Sequence, residues 1–274
     1  VPIKLTINKN ILSDLYLKEK LSSYQIANKL KCSQRTIMNR LDEFNIQSRT
    51  VQEGKALTPP KYKRNKFSNN KNEQSYLIGF RLGDLHITKT HPNSPTIRMS
   101  SNSTRKEQLV LINELFSKYG KVTKTGPDKK GAIHIRAYLD NSFSFLLPKH
   151  KTIPSHILKN KNLALSFLAG YIDAEGCFSI NHRNQPVFVI NCQDDGIIHD
   201  IQSKILPLIA VDTKCHFYRP ATSIVCGVRS NKDVYRIQVY NRENLSKILK
   251  YMLPLLKHGK RKGDALKILK LIQK

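Results

Sequence analysis

Acidic residues are scarce in this chain of 274 residues. Only 20 Asp and Glu stand against 47 Lys and Arg, a formal net charge of +27 at pH 7. The imbalance predicts a polyanionic partner. Nucleic acid leads, because Lys and Arg that neutralise phosphates release condensed counterions, and a membrane surface is the weaker alternative. Long apolar runs are also missing, with no stretch of about 18 or more such residues, so no membrane-spanning helix is expected. The first residues, VPIKLTINKN, lack the apolar centre of a signal peptide, and a soluble chain is expected. Cysteines are few: Cys32, Cys177, Cys192, Cys215 and Cys226 form no CxxC pair. That spacing predicts neither a zinc site nor a disulfide framework, and reduced, mostly buried thiols fit an intracellular setting, prokaryotic or organellar.

What the chain has is 39% hydrophobic residues, enough for a sizeable core, and an internal repeat. FLAGYIDAEG (167–176) has a weaker earlier partner in YLIGFRLGDL (76–85), which matches Gly79 with Gly170, Gly83 with Ala174, and Asp84 with Glu175, 91 residues apart. After each copy come two short alternating runs, a helical stretch, two more alternating runs and another helical stretch. The order predicts a duplicated αββαββα unit.

In the first copy the strands are expected at 85–89, 95–101, 121–125 and 132–139, with a helix over 107–119 carrying Leu109, Ile112, Leu115 and Phe116. In the second they are expected at 177–183, 186–192, 213–219, 223–229 and 234–241, with a helix over 196–209 capped by Asp194 or Asp195. Helical stretches close the copies at 141–147 and 243–256, and a basic amphipathic helix over 264–274 ends the chain. Alternation assigns faces. In AIHIRAYL, Ile133, Ile135 and Ala137 point inward while His134, Arg136 and Tyr138 point outward; in VYRIQVYN the outward set is Arg236, Gln238 and Tyr240. Such side chains read base edges. The same expectation covers His86, Thr88, Arg98 and Ser100 in the first copy, and Ser179, Asn181, Arg183 and Arg229 in the second.

Residues 22–44 form a different unit. Ile26, Ala27, Leu30, Ile37, Leu41 and Phe44 have the spacing of two short helices joined by a tight turn near Lys31 and Cys32, with Ser33 capping the second. The pattern resembles a helix-turn-helix, although such turns usually carry Gly where Lys31 stands. Gln34, Arg35, Asn39 and Arg40 are then the major-groove candidates. Residues 49–74 show no hydrophobic period and contain a Pro pair. From Lys55 to Lys71 there are six basic residues and no acid, which reads as an extended basic tether.

Small residues four apart let two helix backbones approach closely, so the two motif helices are expected to pack on each other through Gly79, Gly83, Gly170 and Ala174. Their last turns then bring Asp84 and Glu175 together, at the negative ends of two helix dipoles. Two such carboxylates need a cation between them. A hard divalent ion with oxygen ligands, Mg²⁺ or Mn²⁺, meets the need and bridges to phosphate oxygens. A metal so placed activates water and stabilises the leaving oxygen at phosphorus.

FLAGYIDAEG is very similar to the name-giving motif of the LAGLIDADG homing endonucleases, and the αββαββα units resemble their fold. The resemblance covers about residues 73–274. It implies an α+β monomer of two pseudo-symmetric halves whose antiparallel strands form a saddle over the DNA major groove, here preceded by a small all-α helix-turn-helix domain. The expected domains are 1–48, a linker 49–72, and halves 73–152 and 153–274. Asp84 and Glu175 would hold the metals, one for each DNA strand, and the extra methylene of Glu175 would make the two cuts unequal. Basic residues near the end of each half, Lys149 or Lys151 and Lys260 or Lys262, match by position, and Asn102 and Gln193 would hold solvent near the metals. Leu82 replaces the acid found at Asp173, and Arg81 has no role in this scheme. The implied activity is metal-dependent, site-specific cleavage of double-stranded DNA of the intron-homing kind. A DNA-binding regulator without chemistry and an RNA maturase acting on intron RNA are the competing readings, while an intein is not expected, for want of its terminal residues.

Overall fold

The computed structural model describes residues 7–57, 62–92, 94–225 and 228–273. Two compact units divide the chain: residues up to Lys61 with His91–Pro95, and the rest.

In the first unit α1 (Lys9–Ser13) runs into a π-helical turn (Asp14–Lys18), followed by α2 (Ser23–Lys29), α3 (Gln34–Glu43) and α4 (Val51–Leu57). A capping box of Ser22 and Gln25 opens α2, and Ser33 accepts the Thr36 N–H to open α3. Lys31 sits at φ 51°, in the left-handed region that Gly usually fills, so the turn keeps its geometry at the cost of strain in a non-Gly residue. Leu12, Leu15, Ile26, Ile37 and Leu41 form the core. Arg49 closes it, its guanidinium 4.0 Å from the Tyr16 ring centre and 2.8 Å from the Leu21 carbonyl.

The stretch expected to be an extended tether is built at both ends. Thr50 and Glu53 cap α4 reciprocally, the Glu53 carboxylate accepting the Thr50 N–H at 2.7 Å while the Thr50 hydroxyl accepts the Glu53 N–H at 3.2 Å. Further on, Phe67 is buried against Phe143 and Tyr119, and its N–H donates to Ser142. The Pro pair lies outside the described residues.

The second unit follows the expected order. α5 (Lys71–Asp84), β1 (His86–Lys89), β2 (Thr96–Ser103), α6 (Lys106–Phe116), β3 (Val122–Thr125), β4 (Ile133–Asp140) and a 3-10 turn (Asn141–Leu146) form the first half. After the short α7 (Ser155–Leu158) come α8 (Lys161–Glu175), β5 (Gly176–Ile180), β6 (Pro186–Cys192), α9 (Asp195–Asp200, continuing through π and 3-10 turns to Ile209), β7 (Cys215–Arg219), β8 (Ile224–Val225), β9 (Val228–Arg229), β10 (Val234–Val239), α10 (Arg242–Met252) and α11 (Gly259–Ile272). The sheets are antiparallel, ordered β1-β2-β4-β3 and β5-β6-β10-β7. One order serves both halves, which are α+β, and β4 shows one covered face and one open face: Ile135, Ala137 and Leu139 are buried while Arg136 and Tyr138 are exposed.

Four local expectations change. The 223–229 strand is the β8–β9 hairpin, whose tip, including Cys226, lies outside the described residues. β5 stops at Ile180 because Asn181 turns the chain, its side-chain Oδ1 accepting the N–H groups of Arg183 and Gln185 at 2.9 Å. Asp194 is the N-cap residue of α9 but its side chain makes no capping bond. α11 begins at Gly259, so the basic residues Lys260 to Lys262 lie in its first turn.

The two motif helices meet through glycine. A Cβ on Gly79 would lie 2.1 Å from the Phe167 carbonyl oxygen, and one on Gly170 would lie 2.0 Å from that of Tyr76. These contacts are reciprocal under the repeat, since Tyr76 matches Phe167. Each helix also stacks an aromatic pair one turn apart, Tyr76 with Phe80 at 6.2 Å and Phe167 with Tyr171 at 6.1 Å.

The positions that break the repeat are structural. Asp173, fully buried, accepts from the Tyr76 hydroxyl at 2.6 Å and from the Lys257 N–H at 2.7 Å, pinning the approach to α11. Leu82 needs no such partner. Arg81, also buried, donates through Nε to the Leu146 carbonyl at 2.9 Å and ties the end of the first half to its motif helix. Asp173→Leu is expected to leave a buried hydroxyl and amide unpaired and to cost about 3 kcal/mol in urea unfolding, each orphaned group costing about 1–3 kcal/mol. A variant as stable as the parent would remove this role.

Candidate functional site

Because the glycine contacts align α5 and α8, Asp84 and Glu175 end side by side. A Cβ on Gly83 would stand 3.0 Å from Glu175 Oε1 and 2.6 Å from the Ala174 Cβ. Each acid opens into its own cavity. The one at Asp84, about 320 Å³, is lined by Asn102, Arg105, Gln108, Ala174 and Arg261. The one at Glu175, about 380 Å³, is lined by Gly83, Lys149, Gln193, Asp194 and Arg219. The halves cross over: the cavity of the first acid takes Arg261 from the second half, and that of the second acid takes Lys149 from the first.

Burial, followed by repulsion from Glu175, pushes the Asp84 carboxyl up to about 7, against the pull of the Gln108 amide, Arg261 and Arg105. The Gln108 Nε2 donates to Asp84 Oδ2 at 2.7 Å. Glu175 is raised too, first by burial, while Arg261 lowers it and Asp194 raises it; one side of it is nonetheless open to solvent. The Nε atoms of Arg261 and Arg219 are buried without a protein partner, one in each cavity. An anion with several acceptor oxygens would satisfy them.

Among the described residues no group of three or more His, Cys, Asp or Glu surrounds a common point. The carboxylates and the Gln193 amide oxygen are hard donors that suit Mg²⁺ or Mn²⁺, while the Asn102 Oδ1 already lies 2.6 Å from His134 Nδ1, so water or phosphate must complete the shell. The donor set therefore fits an ion shared with a phosphate ester.

Of the residues expected here, Asp84, Glu175, Asn102, Gln193 and Lys149 line the cavities. Lys151, Lys260 and Lys262 do not: all three are exposed, and Lys260 pairs with Asp264 at 2.5 Å. Arg261 takes their place, since it lies one helical turn before the buried Ala265 and so faces inward. Gln108 was also not foreseen. Its signal is its spacing, four residues before Ile112 on the buried stripe of α6.

Of the strand residues expected to face outward, His86, Arg98, Arg136, Tyr138, Ser179, Arg183, Arg229 and Tyr240 are exposed, and Thr88, Ser100, Arg236 and Gln238 are half-buried. Asn181 is spent on its turn. In the first unit Arg35 and Asn39 are exposed, whereas Gln34 donates to Ser23 at 3.1 Å and Arg40 pairs with Glu43.

The raised Asp84 carboxyl makes stability depend on pH. Between the usual carboxylate range and about 7 the folded protein holds a proton that the unfolded chain has released, so stability falls as pH rises through that window and levels off above it. Thermal melts of metal-free protein should drop from pH 5.5 to 8 by more than those of Asp84→Asn. A divalent ion, which needs the ionised acid, should raise the melting temperature at pH 8 and not at 5.5. Parallel pH curves for the two proteins would contradict the assignment.

No protein-family model matches the chain, and no curated protein matches it in sequence. Solved structures do match in fold. The homing endonuclease I-WcaI, bound to its DNA recognition sequence, superposes over 73% of this chain and 88% of its own, with a TM-score of 0.52 at 16% identity. I-DmoI, in complex with DNA and Ca, covers 73% of this chain and 99% of its own, with a TM-score of 0.48 at 18% identity. The LAGLIDADG meganuclease I-AabMI, bound to uncleaved DNA, gives 73%, 90%, 0.44 and 15%. At such identities the likeness to I-WcaI shows a shared fold.

Proposed function

We propose that this chain is a LAGLIDADG homing endonuclease, a monomer that cuts both strands of a specific DNA duplex by metal-dependent phosphodiester hydrolysis. The observation that carries the reading is the pairing of Asp84 and Glu175 across the glycine contact of α5 and α8, each in a cavity lined by two basic side chains, one of them a guanidinium whose Nε has no protein partner. A net charge of +27 and two outward strand faces rich in hydrogen-bonding side chains supply the means of holding a duplex. The protein named in the I-WcaI structure is a homing endonuclease with its DNA recognition sequence bound, on the same fold.

In this mechanism Asp84 and Glu175 are the residues that would each hold a divalent cation, Mg²⁺ or Mn²⁺. When bound, the ion lowers the pKa of water and offsets charge on the phosphate. The chain's own groups do the rest. Arg105 and Arg261 in one cavity, and Lys149 and Arg219 in the other, bind the nonbridging oxygens and stabilise the charge that builds as the bond to the leaving oxygen breaks. Asn102 and Gln193 orient water for attack opposite the leaving group. Gln108 fixes the Asp84 carboxylate by donating to its Oδ2. The α2–α3 pair of the first unit, with Arg35 and Asn39 exposed, extends contact with the duplex in the manner of a helix-turn-helix.

The crossed arrangement gives a test. Arg261→Leu is expected to slow cleavage of the strand served by Asp84, and Lys149→Met the other strand, so each variant should accumulate nicked circular plasmid of opposite strand identity. Equal slowing of both strands in both variants would refute separate sites.

A further inference from the structure

The two sheets offer different chemistry on the faces that this nuclease reading turns toward the major groove. On the first sheet the cross-strand register sets His86 opposite Ser100 and Ser100 opposite Arg136, with Thr88, Arg98 and Tyr138 in the next row. Arg98 and Arg136 are exposed, and neither guanidinium has a side-chain hydrogen bond or ion pair among the described residues. Two free planar donors therefore stand on this face.

In the second sheet His86 and Thr88 are matched by Cys177 and Ser179, whose rows are Cys177–Val189–Gln238 and Ser179–Val187, and a further outward row is Asn191–Arg236–His216. Its one comparable arginine is already engaged. Arg236 donates to Asn191 at 2.8 Å and lies 3.2 Å from the Tyr218 ring centre. Arg219 belongs to the cavity of Glu175. The middle of this face is thus apolar, Val189 and Cys177 half-buried, and beside them the Gln238 amide gives one hydrogen to the Tyr240 hydroxyl at 2.5 Å and keeps its other hydrogen and its carbonyl oxygen for a base.

We infer that the two halves of the DNA target differ in base chemistry: guanine under the first sheet, read by Arg98 and Arg136, and T·A pairs under the second, read by Val189, Cys177 and Gln238. The physical basis is the pattern of groups in the major groove. A guanidinium matches the paired acceptors of guanine, an apolar side chain meets the methyl that thymine alone carries, and a glutamine amide pairs with the donor and acceptor of adenine. A guanine under Val189 would leave its acceptors unpaired against a side chain with nothing to donate.

The inference rests on the nuclease reading for the placement of DNA, and the experiment separates the two. The full chain is incubated with a library of randomised duplexes, and both cut and bound molecules are sequenced; the cut position marks the centre of the site. Guanine should be enriched on one side and T·A pairs on the other. Arg98→Ala with Arg136→Ala should erase the guanine preference alone, and Val189→Ser the thymine preference alone. In the selected site, deoxyuridine for thymidine removes only the methyl and should weaken binding several-fold in the second half, with no effect in the first. 7-Deazaguanine should weaken binding in the first half by about 10-fold. Equal base composition on both sides, or silent deoxyuridine, overturns the inference while the nuclease reading stands. Selective binding without cutting overturns the nuclease reading while the base preference can still be read. An unselective library overturns both.

Discussion

Asp84→Asn and Glu175→Gln are each expected to abolish formation of linear plasmid, by more than the roughly 10–100-fold typical of losing a group that only orients a metal ligand. Both changes keep the shape of the side chain and remove its charge. The amide cannot hold a divalent ion beside a phosphate as a carboxylate does. Binding of the duplex should change little, because Lys and Arg carry it and one negative charge fewer can only help against a polyanion. Stability gives an independent reading. Burial and mutual repulsion hold the Asp84 carboxyl at about 7, so above that pH the neutral amide should make the metal-free protein more stable. Loss of activity together with a gain in stability is the behaviour of a group retained for chemistry. The checks are plasmid cleavage with Mg²⁺ and with EDTA, a gel-shift titration, and a melt at pH 8. Linear product forming at the parent rate in either variant would remove the assigned roles.

The repeat was legible because it is written in steric terms. Gly79 and Gly170 announce a close approach of backbones, and the acids that follow at a fixed distance announce a shared site. Alternation gave the faces of β4 and β10 for the same reason, since a strand side chain has only two directions to take. What stayed hidden depended on where elements begin and end. With the last helix begun near Asp264, its basic residues looked like loop positions of free register, and Arg261 could not be told from Lys260 or Lys262. Once α11 starts at Gly259, the spacing from Arg261 to Ala265 and Ile268 puts the guanidinium on the buried stripe. The α4 helix was missed although Thr50 and Glu53 spell a capping box, because the run of basic residues after it dominated the reading. Arg81 and Asp173 depend on partners 65 and 84 residues away, the Leu146 carbonyl and the Lys257 amide, which no local pattern encodes.

Gly170→Ala and Gly79→Ala should be the most destabilising Gly→Ala substitutions among the described residues. At 2.0 Å and 2.1 Å the added carbon would meet main-chain carbonyl oxygens, which cannot rotate away as a side-chain tip could. The two helices must separate, and the aromatic pairs stacked along them lose contact as they do. Overpacking in a core typically costs about 1–3 kcal/mol, and this case belongs at or above the upper end. For a domain of this size, about 3 kcal/mol corresponds to a fall of roughly 6–12 °C in melting temperature. Gly263 supplies the control. It lies inside α11 with nothing within 4 Å of its would-be Cβ, so Gly263→Ala should instead stabilise, by about 0.5–1 kcal/mol, through helix propensity alone. The functional consequence follows from the same geometry. Asp84 and Glu175 stand at the ends of the two helices, so a wider seam admits water to the Asp84 carboxyl and moves it away from Glu175, and both changes lower it from about 7 toward the usual range. Cleavage should therefore fail at temperatures where circular dichroism still reports folded protein. A Gly170→Ala variant that melts with the parent and cuts at its rate would mean that the helices do not meet as closely as these contacts require.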